Sequence, residues 1–173
     1  GYAIDFVSSV MKLNLKQIAD QKVKILSNAG GVNPQACAEA IRALIKELNL
    51  DLKVAVVLGD DLLENKDKFL DSGVQEMYSN EKFPEIDKIA SINAYLGAFP
   101  IAQALNDGAD IVITGRSVDS AVTLAACIHT YGWKEDDYDK LASGSLAGHI
   151  IECGTQSTGG NFTDWELSSK DLH

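Results

Sequence analysis

The chain has 173 residues, and its 46% hydrophobic content is enough to build one domain with a sizeable core, so intrinsic disorder is not expected. A formal net charge of −10 disfavours non-specific nucleic-acid binding, because that affinity comes from Lys and Arg neutralising phosphates. No apolar run reaches the roughly 18 residues of a membrane helix. An anionic ligand would need a local positive pocket, since the overall field repels it.

The first half of the chain predicts strands that alternate with helices. Apolar residues at helical spacing predict an opening helix over residues 4–19, and short apolar runs predict strands at 23–26 and 54–58. Between these strands, Asn33 is suited to cap a helix and Pro34 to occupy its first position. A weaker helix is predicted after the second strand.

The second half centres on residues 108–132. Residues 110–114 form an apolar run without alternation, which predicts a parallel strand that is covered on both faces. The helix after it ends at Gly132, a residue suited to the left-handed cap. Before this unit, strands are predicted at 73–78 and 89–93 and a helix at about 100–106. After it, a last helix is predicted, capped by Asp136 or Asp139, in which Gly144 and Gly148 indicate close contact with a neighbouring element or a ligand.

This alternation predicts an α/β fold in a single domain over residues 1–173. The predicted architecture is a mostly parallel β-sheet with helices on both faces, a doubly wound, Rossmann-like three-layer sandwich. The chain has three widely spaced cysteines, Cys37, Cys127 and Cys153. An odd number at such spacing favours buried thiols in a reducing compartment over disulfides. We therefore predict a cytoplasmic protein.

Polar, glycine-containing loops follow four of the predicted strands, at residues 28–33, 59–61, 93–97 and 115–120. Because the carboxyl ends of parallel strands open on one edge, we expect these loops to converge on a ligand site. The alternative is ordinary turn chemistry, since Gly, Asn, Asp and Ser occur in any such loop. The candidate substrate-binding residues are Asn28, Gly30, Gly31, Asn33, Asn93, Tyr95, Gly115, Arg116, Ser117 and Ser120.

Arg116 follows the central strand directly and has planar donors suited to a carboxylate or phosphate. It could instead pair with Asp119 or Asp60. Asp119 and Asp60 are the candidate catalytic residues that would handle protons, and Asp60 with Asp61 could also hold a divalent metal. A first-turn aspartate favoured by the helix dipole is the alternative explanation for these carboxylates.

His149, Glu152 and Cys153 share one helix face, a spacing that could present metal ligands or a thiol activated by histidine. Structural zinc normally takes four ligands and the chain has no CxxC, so no metal site is predicted. We expect His149 and Glu152 to support a glycine-rich turn that contains Gly159 and Gly160. This turn lacks the Lys-Ser/Thr ending of a P-loop, and no GxGxxG follows a strand, so the cofactor is unknown.

Five segments resemble the acyclic terpene utilisation family named after AtuA. They are NAGGVNPQA at 28–36, VAVVLGDDL at 54–62, INAYLGAFPIAQAL at 92–105, GADIVITGRSVDSA at 108–121 and LASGSLAGHIIECGTQSTGGNF at 141–162. The resemblance implies a role in the degradation of acyclic terpenes such as citronellol and geraniol, without a defined reaction. Residues 115–120 match the GR-x-x-D-S pattern of this family. The functional role assigned to Asp119 and Ser120 depends on this match.

The resemblance also implies that the chain is a portion of a longer protein that packs against missing segments or other subunits. Our functional hypothesis is an enzyme, or enzyme component, that binds a small anionic substrate such as a branched carboxylate or its acyl-CoA thioester. The alternative is a non-catalytic ligand-binding or assembly module, because the sequence shows no complete nucleophile–base pair.

Overall fold

The computed structural model describes residues 1–161, 163–168 and 170 and contains a three-stranded parallel sheet. The strands are β1 (Ile25–Ser27), β2 (Val54–Val57) and β3 (Ile111–Thr114), in the spatial order β1-β3-β2. Ile111 of β3 lies opposite Ile25 on one side and opposite Val54 on the other. The predicted α/β class and the parallel pairing are therefore confirmed, although β1 begins two residues later and ends one residue later than predicted.

Helices precede, connect and follow these strands. A π-helical segment, Phe6–Met11, leads into the first α-helix, and short 3-10 turns occur at Leu63–Asn65, Ile86–Lys88 and Gly154–Thr158. The α-helices are α1 (Lys12–Gln21), α2 (Pro34–Glu47), α3 (Lys66–Asp71), α4 (Ala98–Asn106), α5 (Ala121–Tyr131), α6 (Tyr138–Glu152) and α7 (Trp165–Ser168). None of the helices in the described ranges has the length and apolar character that crossing a membrane requires.

Strand β3 lies at the centre of the core because both of its faces are covered. Ile111 and Ile113 are fully buried in a cluster with residues of α1 and α2, including Leu15 and Ile41. Val112 points the other way, into a second cluster built from β2, α4 and α5. The unbroken apolar run in the sequence predicted this two-sided burial, which is typical of a parallel strand.

Local signals in the sequence define two helix ends. The side chain of Asn33 accepts a hydrogen bond from the Ala36 N–H at 3.1 Å, and Pro34 occupies the first turn of α2, as predicted. Gly132 adopts φ 62° and ends α5 with a left-handed cap, also as predicted. The predicted cap of α6 was wrong: Asp137 precedes this helix, and its Oδ2 accepts a hydrogen bond from the Lys134 N–H instead of a helix amide.

The two glycines of α6 permit close packing against α5. A Cβ at residue 144 would lie 2.8 Å from side-chain atoms of Leu124 and Trp133, and one at residue 148 would lie 2.9 Å from the Cβ and carbonyl oxygen of Ser120. The predicted close contact is therefore with a neighbouring element, α5 and the residues that flank it.

Two predicted strands, at 73–78 and 89–93, are absent from the described residues. The first region contains only an isolated antiparallel bridge between Gln75 and Lys82. The second is part of an extended segment, residues 89–97, which follows a 3-10 turn and crosses the carboxyl edge of the sheet. Its N–H groups bond to loops, from Ala94 to the Asp60 carbonyl and from Leu96 to the Arg116 carbonyl, so it does not enter the ladder.

Asp110 links the amino ends of all three strands. Its Oδ1 accepts a hydrogen bond from Lys24 Nζ, before β1, and its Oδ2 accepts one from the Lys53 N–H, before β2, both at 2.8 Å. Partial burial raises the pKa of Asp110, but these two hydrogen bonds and the positive charges of both lysines outweigh it and hold the pKa below its usual value.

We expect Asp110→Asn to lower the free energy of unfolding by about 1 kcal/mol at neutral pH. Because the folded-state pKa is depressed, the carboxylate contributes fully above its unfolded-state pKa of about 4, and this contribution is lost as pH falls through the folded-state value. Urea unfolding at pH 7 and at stepwise lower pH should show the two proteins converging in acid. Asp136→Asn, at an exposed loop position, is the control. A difference that persists undiminished in acid would contradict the role given to the charge.

Candidate functional site

The loops that follow β2 and β3 meet at the carboxylate of Asp60. Asp60 is only 3% exposed, and its Oδ2 accepts hydrogen bonds from the Arg116 N–H at 2.8 Å and from Asn93 Nδ2 at 3.2 Å. Gly115 makes this approach possible, because a Cβ there would overlap with the Asp60 carboxylate. One buried side chain thus joins three of the four predicted loops.

The Arg116 side chain is exposed above this junction. Its Nη2 donates a hydrogen bond to the Tyr95 hydroxyl at 2.9 Å, and its guanidinium carbon lies 5.1 Å from the centroid of the Tyr95 ring. The guanidinium therefore bonds to Tyr95 rather than to Asp60 or Asp119. The hydrogen bond to Tyr95 is the main factor that raises the pKa of Arg116 above its ordinary value, and the charges of Asp119 and Asp60 add to this. The group stays positively charged, with donors that face solvent.

Ser117 and Ser120 are the buried members of the loop after β3. Ser117 forms a parallel bridge with Leu96, and Val118 N–H donates to the Leu96 carbonyl at 2.9 Å. The buried Ser117 Oγ has no hydrogen-bond partner among the described residues. A buried hydroxyl without a partner is destabilising by about 1–3 kcal/mol, and a bound water or ion is one way in which such a group is satisfied. Ser120 lies beneath α6, against Gly148.

The loop after β1 reaches the site through its backbone. A Cβ at Gly30 would overlap with the Thr114 carbonyl, at the end of β3. Gly31 adopts φ 55° in a turn in which its N–H donates to the Asn28 carbonyl at 3.1 Å. The Asn33 side chain is used to cap α2. A cavity of about 230 Å³ separates this loop from the extended segment, with Val32 and Asn93 among its lining residues.

A second cluster lies on the exposed rim beside the loop after β3. His149 Nε2 is 3.5 Å from Asp119 Oδ2, and donor atoms of Asp119, His149 and Glu152 all lie within 4.8 Å of one another. The Cys153 thiol donates to Glu152 Oε1 at 2.9 Å. This hydrogen bond raises the pKa of Cys153, and desolvation and the charges of Glu152 and Asp119 act in the same direction. His149 therefore contacts Asp119 rather than the glycine-rich turn.

Gly159 and Gly160 close their own turn. Gly159 adopts φ 79°, and the Gly160 N–H donates to the Thr155 carbonyl at 2.8 Å. Phe162, the end of the last segment used for the family resemblance, lies outside the described residues. A role for Gly159 and Gly160 in supporting the site stays a prediction.

The sequence of the whole chain matches a family model. Residues 1–173 match the model described as "Acyclic terpene utilisation family protein AtuA". The chain belongs to the AtuA family. No curated protein and no solved structure matches it. The resemblance of the five segments is therefore confirmed, and the match also covers residues 1–27, which precede the first of them.

In this AtuA family chain, the sequence did not indicate the pairing of Asp119 with His149 or the participation of Leu96. Thirty residues separate Asp119 from His149, and no local period connects them. The available signal was Gly148, because close packing at that position brings α6 against Ser120 and so places the next residue beside Asp119. Leu96 meets the loop after β3 through its backbone N–H and carbonyl, which a side-chain pattern does not reveal.

Proposed function

We propose that this AtuA family chain binds the anionic group of an acyclic terpene derivative or related branched acyl compound, as a free carboxylate or as a coenzyme A thioester, within a catabolic enzyme. The observation that carries the proposal is the exposed guanidinium of Arg116 at the carboxyl end of the central strand. In a chain with a net charge of −10, this is a fixed positive group at the edge where open α/β sheets bind ligands.

The contacts around Arg116 support an anion-binding role. Tyr95 holds one nitrogen of the guanidinium and orients its plane, while Asp60 holds the backbone N–H of the same residue. Side chain and main chain are thus fixed by different partners, so the exposed donors are ordered before a ligand arrives. Such preorganisation reduces the entropy that binding would otherwise lose.

The two candidate catalytic carboxylates differ in their surroundings. Asp60 is buried and already accepts two hydrogen bonds, so we assign it to positioning the loop of Arg116. Asp119 is exposed and close to His149, and we assign proton transfer to this pair. The edge of the sheet is shaped by Gly115 and Gly30, which permit the close approach of the loops, and by Asn93, whose side chain donates to Asp60.

The proposal includes the doubly wound, Rossmann-like three-layer arrangement and a cytoplasmic location. Apolar clusters on opposite faces of the sheet, one with α1 and α2 and one with α4 and α5, support the layered arrangement. The three cysteines are free thiols, which is in keeping with a reducing compartment. Only Cys37 is buried, and the prediction of burial was wrong for Cys127 and Cys153, which are partly exposed.

Calorimetric titration of the full chain with geranic acid and with its coenzyme A thioester tests this function. We expect Arg116→Ala to weaken the affinity about tenfold or more, because a charge-assisted hydrogen bond to the anion is lost. The matched control is Arg42→Ala, which removes the only other arginine; its Nη2 donates to the Val54 carbonyl at the start of β2, on the opposite edge of the sheet. Equal affinity of the wild type and Arg116→Ala for both ligands would refute the proposed site.

A second candidate function is assembly with other segments or subunits, as a non-catalytic module. The specific observation is the outer face of α6, where Leu146 and Ile150 are 64% and 53% exposed. If neither ligand binds and sedimentation shows a concentration-dependent mass that Leu146→Ser abolishes, assembly is the better description.

A further inference from the structure

Asp119, His149 and Glu152 combine one imidazole nitrogen with two carboxylates at a separation that suits a metal ion. Ligand atoms about 2.0–2.2 Å from a tetrahedral Zn²⁺ lie about 3.3–3.6 Å from each other. The 3.5 Å distance between His149 Nε2 and Asp119 Oδ2 falls within this range. The third donor is within 4.8 Å of the others, a gap that rotation of the exposed Glu152 side chain closes. From this geometry we propose that the three residues bind a divalent transition-metal ion, with Zn²⁺ as the best match.

The fold holds the two ligand-bearing elements together. His149 and Glu152 are three residues apart on α6 and therefore lie on the same helix face. Asp119 belongs to the loop before α5. The neighbouring residues Gly148 and Ser120 are in such close contact that a Cβ at residue 148 would lie 2.9 Å from Ser120. Backbone packing thus holds Asp119 close to His149, whereas the exposed Glu152 side chain has to rotate to complete the site.

The chemistry of the donors selects the ion. An imidazole nitrogen with carboxylate oxygens suits Zn²⁺, Co²⁺ or Fe²⁺, whereas Mg²⁺ and Ca²⁺ prefer oxygen ligands alone. Three protein ligands leave at least one position for water or substrate, as in catalytic zinc sites, and all three residues are exposed. An ion would also offset the repulsion between the two carboxylates. The sequence offered His149, Glu152 and Cys153 on one helix face, and no metal site was predicted because structural zinc normally takes four ligands and the chain has no CxxC. The approach of Asp119 to His149 was not foreseen.

The role of the ion, but not its binding, rests on the proposed function. Asp119 is near enough to Arg116 for its charge to affect the pKa of that residue, so the ion would lie beside the anion-binding group. With an ion bound, Asp119 and His149 act as its ligands and no longer transfer protons as a pair. A substrate whose anionic group is held by Arg116 could then place a carbonyl oxygen on the ion, which would act as a Lewis acid.

Titration of the chelator-treated full chain with Zn²⁺ by calorimetry, and with Co²⁺ by visible absorption, tests the site at neutral pH. We expect one ion to bind per chain. His149→Ala and Asp119→Asn should each reduce the affinity for the ion at least about tenfold, because losing a metal ligand is at least as harmful as losing a residue that hydrogen-bonds to a ligand. Melting temperatures should be unchanged without metal, because these side chains are exposed.

His129→Ala is the matched control, because His129 bonds Asn106 near the far end of α5. The control should bind Zn²⁺ as the wild type does. No binding by the wild type, or equal binding by the wild type and His149→Ala, would overturn the inference. Repeating the geranic acid titration in the presence of chelator separates the two proposals. If geranic acid still binds and binding still depends on Arg116, the anion site is supported even when no metal site exists.

Discussion

Gly30→Ala is expected to lower the free energy of unfolding by about 3 kcal/mol or more, an effect at the upper end of overpacking substitutions. A Cβ at this position would overlap with the Thr114 carbonyl of β3 and lie 2.6 Å from Pro34 Cβ. Neither neighbour can move easily, because one is backbone of the central strand and the other is a ring that begins α2. Chemical denaturation followed by circular dichroism would measure the loss.

Gly97→Ala is the control for this substitution. Gly97 precedes α4 at φ −83°, and a Cβ there would have no heavy atom within 4 Å. We expect a change of less than about 1 kcal/mol, because the poorer capping by alanine is offset by the smaller entropy of the unfolded chain. If Gly30→Ala were as stable as Gly97→Ala, the loop after β1 would not be packed against β3. That loop could then not be counted as part of the site.

Asp60→Ala is expected to destabilise the fold by about 2–4 kcal/mol, since it removes the buried carboxylate that accepts hydrogen bonds from two partly buried donors. These donors are the Arg116 N–H and Asn93 Nδ2. With its backbone released, Arg116 should also lose its fixed position, and affinity for an anionic ligand should fall even where the protein remains folded. Urea unfolding and calorimetric titration well below the midpoint of unfolding measure the two effects separately.

The neighbouring Asp61→Ala provides the comparison. Asp61 is exposed, and its Oδ1 accepts a single hydrogen bond, from the Leu63 N–H, so the expected cost is at most about 1 kcal/mol. Equal losses of stability for the two aspartates would show that the buried carboxylate does not hold the loops together.

Sequence patterns predicted the parts of the fold that depend on local chemistry. The apolar run of β3, the Asn33 cap, the Pro34 start of α2 and the Gly132 end of α5 were all correct, because each depends on residues within one or two turns. The parallel sheet followed from the alternation of strands and helices. By contrast, residues 89–93 have strand-like composition, yet the backbone partners of their segment are loops rather than a strand, and only the tertiary structure decides that.

In the candidate site, too, the sequence predicted some features correctly and could not indicate those that depend on tertiary packing. The sequence indicated that Asp60 and Arg116 lie on one edge, because strand ends in a parallel sheet share a direction. It could not indicate which of two adjacent aspartates turns inward, or that the backbone of Arg116 rather than its guanidinium meets Asp60. The approach of His149 to Asp119 depends on how α6 packs on α5, and no spacing along the chain encodes that distance.

The position of β3 between β1 and β2 has a consequence for the order of folding. This strand is the last of the three to leave the ribosome, yet in the described residues each of the others pairs only with it. A nascent chain that ends before residue 111 therefore holds two short strands with no ladder to join, and α2 without its contacts to β3. Sheet formation must wait for a distant segment, which slows folding and leaves the early helices exposed to chaperones.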